Sequence, residues 1–372
     1  MDPPEGYAKA QPGQVCRLRR SLYGFKQASR QWHLELTSKL IDFGFLQSPH
    51  DNCLFLKGSG ADFIALLVYV DDIILTGASE CQLTAVKDYL DRLFTIKDLG
   101  PAKYFLGLEL IHSTHGLHVS QRKYLQDILL DAFMTEAKPT SIPFPPGLRL
   151  TLEGGSLLPS PDRYRRTTHW DAAFHILHYL RGSSSLGLFF SSHSMLQLTA
   201  FSDAAWASCL DSRRSISSHY RLLHLPWFLH HFLEDQETSY SVPIFCRAEY
   251  RSMASTVSEL LWISYLLRDL QLPVQRLIPF WCDNKAALHM TANPVFHERT
   301  KHLDIDCHLV RDQFKAGFIS PSHISGLHQP ADLFTKAVPL PSFTRLMSKL
   351  GLVSKHQLEG GMMKLELQQS RV

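Results

Sequence analysis

Two short β-rich runs, Phe63-Ile-Ala-Leu-Leu-Val-Tyr-Val70 and Ile73-Ile-Leu75, are separated only by Asp71-Asp72. Both runs have strand length and neither could span a membrane. Adjacent carboxylates interrupting such a run are expected at the tip of a hairpin, where water or a cation can reach them. Two carboxylates fixed on one turn offer the oxygen ligands that Mg²⁺ prefers. A bare acidic turn is more often simply solvated, so the surrounding sequence has to decide between the two readings.

The surroundings are those of a folded chain. Of 372 residues, 45% are hydrophobic and 20% charged, enough for about two domains. A net charge of +3 allows a nucleic-acid partner without requiring one. Seven cysteines lie scattered without a Cys-x-x-Cys pair, as expected of reduced thiols in an intracellular protein. The spacing of His302, Cys307 and His308 fits no common zinc site. The N-terminus resembles neither a signal nor a transit peptide, which suggests a cytoplasmic particle or the nucleus.

Helical and strand patterns alternate along the chain. Trp32, Leu36 and Leu40 recur every four residues, and Gly44 is a candidate C-cap. Ser79 can cap a helix whose apolar face is Leu83, Val86, Leu90 and Leu93. Residues 139–161, rich in proline around Gly154-Gly155-Ser156, form the clearest linker. Beyond it, Trp170–Leu180 predicts an amphipathic helix and Leu196–Trp206 a strand carrying Asp203. Val257–Leu270 predicts a helix, and Phe280–Asp283 the end of another strand. Residues 219–246 have no usable period, and Pro226 and Pro243 sit where strands are expected.

Several blocks then resemble one family in order and spacing. Tyr69-Val-Asp-Asp72 resembles the catalytic signature of reverse transcriptases, and Leu67–Gly77 resembles its copia-type version. Upstream, Ser21-Leu-Tyr-Gly-Phe-Lys-Gln-Ala-Ser-Arg-Gln-Trp32 resembles a block of the same elements, with Ser29 in place of proline. Asp98-Leu-Gly100 and Tyr104-Phe-Leu-Gly-Leu-Glu109 resemble the segment that follows the palm. The resemblance covers roughly residues 1–340 and is plant-like in wording.

It implies RNA-directed DNA polymerisation by two-metal phosphoryl transfer, with RNA template and DNA primer as partners. Asp71 and Asp72 would hold Mg²⁺, and Gly24, Lys26, Gln27, Arg30 and Tyr69 would contact nucleotide or template. Basic residues interleaved with aromatics in 17–30 suit that role. The family's third palm carboxylate is expected upstream of Met1, so polymerase activity of this chain is not expected.

A second carboxylate set resembles the family's ribonuclease H, whose partner would be an RNA–DNA hybrid. Phe201-Ser-Asp-Ala-Ala-Trp206 offers Asp203, Trp281-Cys-Asp-Asn-Lys-Ala286 offers Asp283, and Gln329-Pro-Ala-Asp-Leu-Phe-Thr-Lys336 offers Asp332. All three would be catalytic Mg²⁺ ligands. In Phe245-Cys-Arg-Ala-Glu-Tyr-Arg251, Arg247 falls at the place assigned to the metal-binding Glu. Glu249, two residues on, is turned about 200° away on a helix and is not expected to replace it.

Read one base out of register, permissible codons for 220–247 return the family's hairpin and helix start. Compensating frameshifts are therefore expected around this segment. A shortened connection is expected where Arg163-Tyr-Arg-Arg166 runs into Thr167. The predicted class is α+β. Residues 1–138 would form a partial reverse transcriptase, 139–195 a linker and shortened connection, 196–340 an RNase H-like α/β domain with a disrupted sheet, and 341–372 a tail. The implied function is that of an inactive polymerase and nuclease remnant, or else of a catalytically dead nucleic-acid-binding protein.

Overall fold

The structure, a computed structural model, describes residues 13, 15, 17, 25–148, 150–151, 155–156, 167–194, 196–205, 216–223, 227–232, 244–292 and 304–354. For residues 205, 216–223, 227–232, 244–247 and 304–307 the backbone alone is described. The chain forms two compact units, residues 1–100 with 265–272, and residues 101–264 with 273–372. Strands that follow Gly100 pair with strands far along the second unit.

In the first unit, helix α1 (Ala28–Asp42) buries Leu36 and Leu40. It ends where the sequence predicts: Gly44 adopts φ 98°, and its N–H donates to Ile41 O at 2.9 Å. Strands β1 (Leu46–Gln47), β2 (Leu54–Lys57), β3 (Ile64–Tyr69) and β4 (Asp72–Gly77) form an antiparallel sheet in chain order. Helix α2 (Glu80–Phe94) opens on Ser79, whose side chain accepts from the Gln82 N–H. Its Val86 and Leu90 are buried with Phe45, Phe55, Ile64, Leu66 and Val68, whereas Leu93 stays 45% exposed on the solvent side.

The second unit holds two sheets. Strands β5 (Tyr104–Phe105), β6 (Leu108–Ser113) and β7 (Gly116–Ser120) form a meander followed by helix α3 (Arg122–Asp131). Glu109 is buried in β6, and Arg122 pairs with it through two nitrogens, Nε at 3.0 Å and Nη2 at 2.9 Å. Helix α4 (Thr167–Ser183) leads into β8 (Leu186–Ser191), which pairs antiparallel with β7.

Strand β9 (Leu198–Ala205) begins the other sheet. Strands β10 (Ile216–Leu223) and β11 (Trp227–Phe232) continue it as an antiparallel meander, Asp203 opposite Ser218 and His219 opposite His231. The expected disruption is therefore not found in the backbone of these residues. Pro226 and Pro243 lie outside the described residues. Helix α5 (Ile244–Asp269) starts well before the expected Val257 and buries Tyr250, Met253, Ala254, Val257 and Leu260.

Strand β12 (Ile278–Cys282) pairs parallel with β9 on one side. On the other, after helices α6 (Lys285–Ala292) and α7 (Asp304–Lys315), it pairs parallel with β13 (Ile319–His323). The order is β11-β10-β9-β12-β13, which puts the fully buried Phe280 and Cys282 on an interior strand paired on both sides. Helices α8 (Asp332–Thr335) and α9 (Leu340–Lys349) precede β14 (Leu352–Ser354). That last strand pairs with β8, so the preceding sheet reads β14-β8-β7-β6-β5.

Candidate active sites

Two groups of carboxylates stand out, one in each unit. In the first unit, β3 and β4 pair Tyr69 with Asp72 and leave Val70 and Asp71 as a two-residue loop. Both aspartates are exposed at the tip, as the sequence requires. Val70 takes φ 54°, and Asp71 does not share the positive sign. This is the sign pattern of a type II′ turn, whose first position favours glycine. A β-branched residue there holds roughly 1–3 kcal/mol of backbone strain.

A partner absent from the sequence reading steadies this loop. Trp32 Nε1 donates to Val70 O at 2.6 Å, and the indole meets Phe94 edge-on with centroids 4.9 Å apart. The arrangement brings the block around α1 to the acidic hairpin. Lys26 and Gln27 form the exposed turn before α1, and Arg30 is exposed in its first turn. Tyr69 is 53% exposed beside the loop, while Gly24 lies outside the described residues.

The second group draws on four separate elements. Asp203 sits in β9 with 1% exposure, Asp283 directly after β12, Asp332 at the start of α8 and Glu249 in the first turns of α5. Carboxylate oxygens of Asp203, Asp283 and Asp332 all lie within 4.8 Å of one another. Glu249, Cys282 and Asp283 form a second such group, so the two sets share Asp283.

Local bonds fix each member. Asn284 Oδ1 accepts the Ala287 N–H at 3.1 Å, closing the turn from Asp283 into α6. Ser252 Oγ donates to Asp203 O at 3.0 Å, and Gln329 Nε2 donates to Ser202 O at 2.9 Å. Glu249 Oε1 accepts the Ala204 N–H at 3.3 Å, while its buried Oε2 has no hydrogen-bond partner.

Glu249 therefore joins the cluster, contrary to expectation, and the carboxylate in the site is not displaced by Arg247. Glu249 lies on the buried face of α5. Ser252, Met253, Thr256, Val257 and Leu260 follow Glu249 at i+3, i+4, i+7, i+8 and i+11, and all are buried. That stripe is the sequence signal that places Glu249 inward. Arg247's side chain lies outside the description.

Burial, and behind it charge crowding, raises the proton affinity of Glu249, Asp283 and Asp332. Burial first, then Asp203 and Asp283, lift the Glu249 carboxyl to about 9. Burial likewise lifts Asp332 to about 6 against the opposing hydrogen bond from Lys336, and raises Asp283, helped by Asp203. Lys336, four residues after Asp332, supplies the compensating charge. Its ammonium lies 2.6 Å from Asp332 Oδ1 and 3.3 Å from Asp203 Oδ1. Burial works against that ammonium, but Asp203 and Asp332 hold its affinity for the proton above the usual lysine range. Thr335 Oγ1 donates a short hydrogen bond to the other oxygen of Asp203. Neither Thr335 nor Lys336 was foreseen as more than motif wording.

Comparison with known proteins agrees with the hairpin and its surroundings. Residues 1–146 match the family described as reverse transcriptase (RNA-dependent DNA polymerase). The chain is 35% identical, over 98% of its length, to the retrovirus-related Pol polyprotein from transposon RE2 of Arabidopsis thaliana. It is 30% identical, over 95% of its length, to that from transposon TNT 1-94 of Nicotiana tabacum. An uncharacterised mitochondrial protein of Arabidopsis thaliana is 31% identical, and the match covers 54% of this chain and 94% of that protein. The chain spans 27% of the RE2 polyprotein and 29% of the TNT 1-94 polyprotein. The reverse transcriptase match takes in the chain of the first unit up to residue 100 and continues to residue 146 in the second. The chain belongs to the copia-type retrotransposon Pol polyproteins of plant-like character. Among the described residues, no helix is long and apolar enough to cross a membrane.

Proposed function

We propose that residues 196–340, which carry the buried carboxylate cluster, are a ribonuclease H-like nuclease that cuts RNA in an RNA–DNA hybrid, joined to part of an RNA-directed DNA polymerase. The observation that carries this reading is the convergence of Asp203, Glu249, Asp283 and Asp332 from four elements. Such a set is costly to bury and is kept where cation chemistry repays the cost. The all-oxygen trio fits Mg²⁺, and the unpartnered Glu249 Oε2 is the orphaned acceptor that a bound cation would satisfy. Mg²⁺ held by these carboxylates would supply Lewis-acid polarisation of a phosphate and a water of lowered pKa.

The chain's own contribution is to orient and charge the site. Thr335 and Lys336 fix the rotamer of Asp203, and Asn284 fixes the turn that carries Asp283. Glu249 gives up its proton when the site fills, so loading becomes easier as pH rises. On this reading Glu249 serves as the nuclease glutamate. In the first unit, Asp71 and Asp72 are proposed as Mg²⁺ ligands, with Lys26, Gln27, Arg30 and Tyr69 as nucleotide or template contacts.

The test is cleavage of a labelled RNA–DNA hybrid by the full chain with Mg²⁺ or Mn²⁺. Cleavage that Asp283→Asn lowers by at least about 100-fold is expected, without loss of hybrid binding. Salt-sensitive hybrid binding with no cleavage by the unaltered chain would overturn the nuclease reading in favour of a binding role.

A further inference from the structure

Lys336 introduces a fifth charge among the acids. It reaches two of the carboxylates that a divalent cation would need, with no covalent constraint beyond its own helix turn. Lys336 caps the C-terminal end of α8 four residues after Asp332, which sets the shorter contact, and the longer one crosses to β9. Its side chain is 43% exposed, so the ammonium has a path to water, whereas Asp203 is 1% exposed and stays in place. A partly solvated ammonium on a four-carbon stem can withdraw at little steric cost.

We propose that Lys336 is a built-in exchangeable cation of this site, balancing Asp203 and Asp332 until a divalent cation takes those oxygens. This rests on the nuclease reading of the cluster and adds a positioning residue to it. Two consequences follow from charge alone. With Lys336 in place, the buried acids are partly neutralised, and the unit can fold without metal. The same ammonium sets a threshold on loading, since its pairs with Asp203 and Asp332 must break first. Once withdrawn toward solvent, it stands beside the site as a free cation able to meet a phosphate of the hybrid backbone.

The experiment measures Mn²⁺ binding to the full chain from the spin-resonance signal of the free ion. Lys336→Gln is expected to bind Mn²⁺ at least about tenfold more tightly than the unaltered chain. Lys336→Arg, which keeps the charge, should stay near the unaltered value. A merely structural lysine would give the opposite sign, because losing it would loosen Asp203 and weaken binding.

A second measurement needs no variant. Acetylation of Lys336 in the unaltered chain, followed by peptide mass spectrometry, should quicken when Mn²⁺ is added. Unchanged or weaker Mn²⁺ binding in Lys336→Gln, or slower acetylation with Mn²⁺, overturns the exchange while leaving the cation site intact. Absence of Mn²⁺ binding from both the unaltered chain and Lys336→Gln overturns the metal-site reading and the exchange together.

Discussion

The two carboxylate groups are built in opposite ways. Asp71 and Asp72 share one hairpin, stand in solvent and owe their placement to the register of β3 against β4. Asp203, Glu249, Asp283 and Asp332 come from four elements and meet at the buried end of a five-stranded sheet. At the hairpin the strain resides in one backbone angle, that of Val70. In the buried group it resides in desolvation first and like charges second, which together lift Glu249 to about 9. A local site can be recognised from a few adjacent letters. A site assembled across the fold depends on which face of each element turns inward.

The contrast is easiest to break through the sheet. Phe280→Ala removes a fully buried ring from the interior strand β12, shortly before the turn that carries Asp283. The expected loss is about 3–5 kcal/mol in denaturant unfolding. Tyr69→Ala at the exposed hairpin should change stability by less than about 0.5 kcal/mol. Equal losses at the two positions would mean that the hairpin, too, depends on distant packing.

The next effect concerns pH. Glu249 is raised from 4.5 to about 9 and Asp332 from 3.8 to about 6. Folded acids of raised pKa bind protons that the unfolded chain has lost, so stability falls as pH rises through this interval. Their contribution is fully present below the unfolded values near 4 and is lost progressively toward pH 9. In chelator, the melting temperature of the unaltered chain should fall from pH 5 to pH 9 more steeply than that of Glu249→Gln. Parallel profiles would show that Glu249 is not held protonated by the fold.

The smallest effects belong to the hairpin. Trp32→Phe removes the bond from Nε1 to Val70 O and should cost about 1 kcal/mol. Val70→Gly relieves the positive φ and should return a similar or smaller amount. Thermal unfolding measures both, and a destabilised Val70→Gly would show that the valine side chain outweighs its backbone strain.

Much of this fold was legible where the physics is local. The four-residue recurrence of Trp32, Leu36 and Leu40, the Gly44 cap, the Ser79 cap and the acidic hairpin all follow from near neighbours. Three of the four buried acids were also found, because each sits in its own motif. Glu249 was missed because Arg247 was assigned to the inward face before the buried stripe from Ser252 to Leu260 was considered. Strands β10 and β11 were missed because aperiodic apolar sequence says little about ladder pairing. The sheet that joins 104–120, 186–191 and 352–354 depends on pairings between distant segments, which no local pattern announces.

On the proposed nuclease reading, Glu249 is the acid of α5 that joins Asp203, Asp283 and Asp332, and Arg247 is not required there. Hybrid cleavage by Glu249→Gln and Arg247→Gln, each beside the unaltered chain in Mn²⁺, tests this most directly. The expected result is a loss of at least about 100-fold in Glu249→Gln and near-unaltered cleavage in Arg247→Gln. Full activity in Glu249→Gln, or cleavage that appears only when Arg247 is replaced, would contradict it.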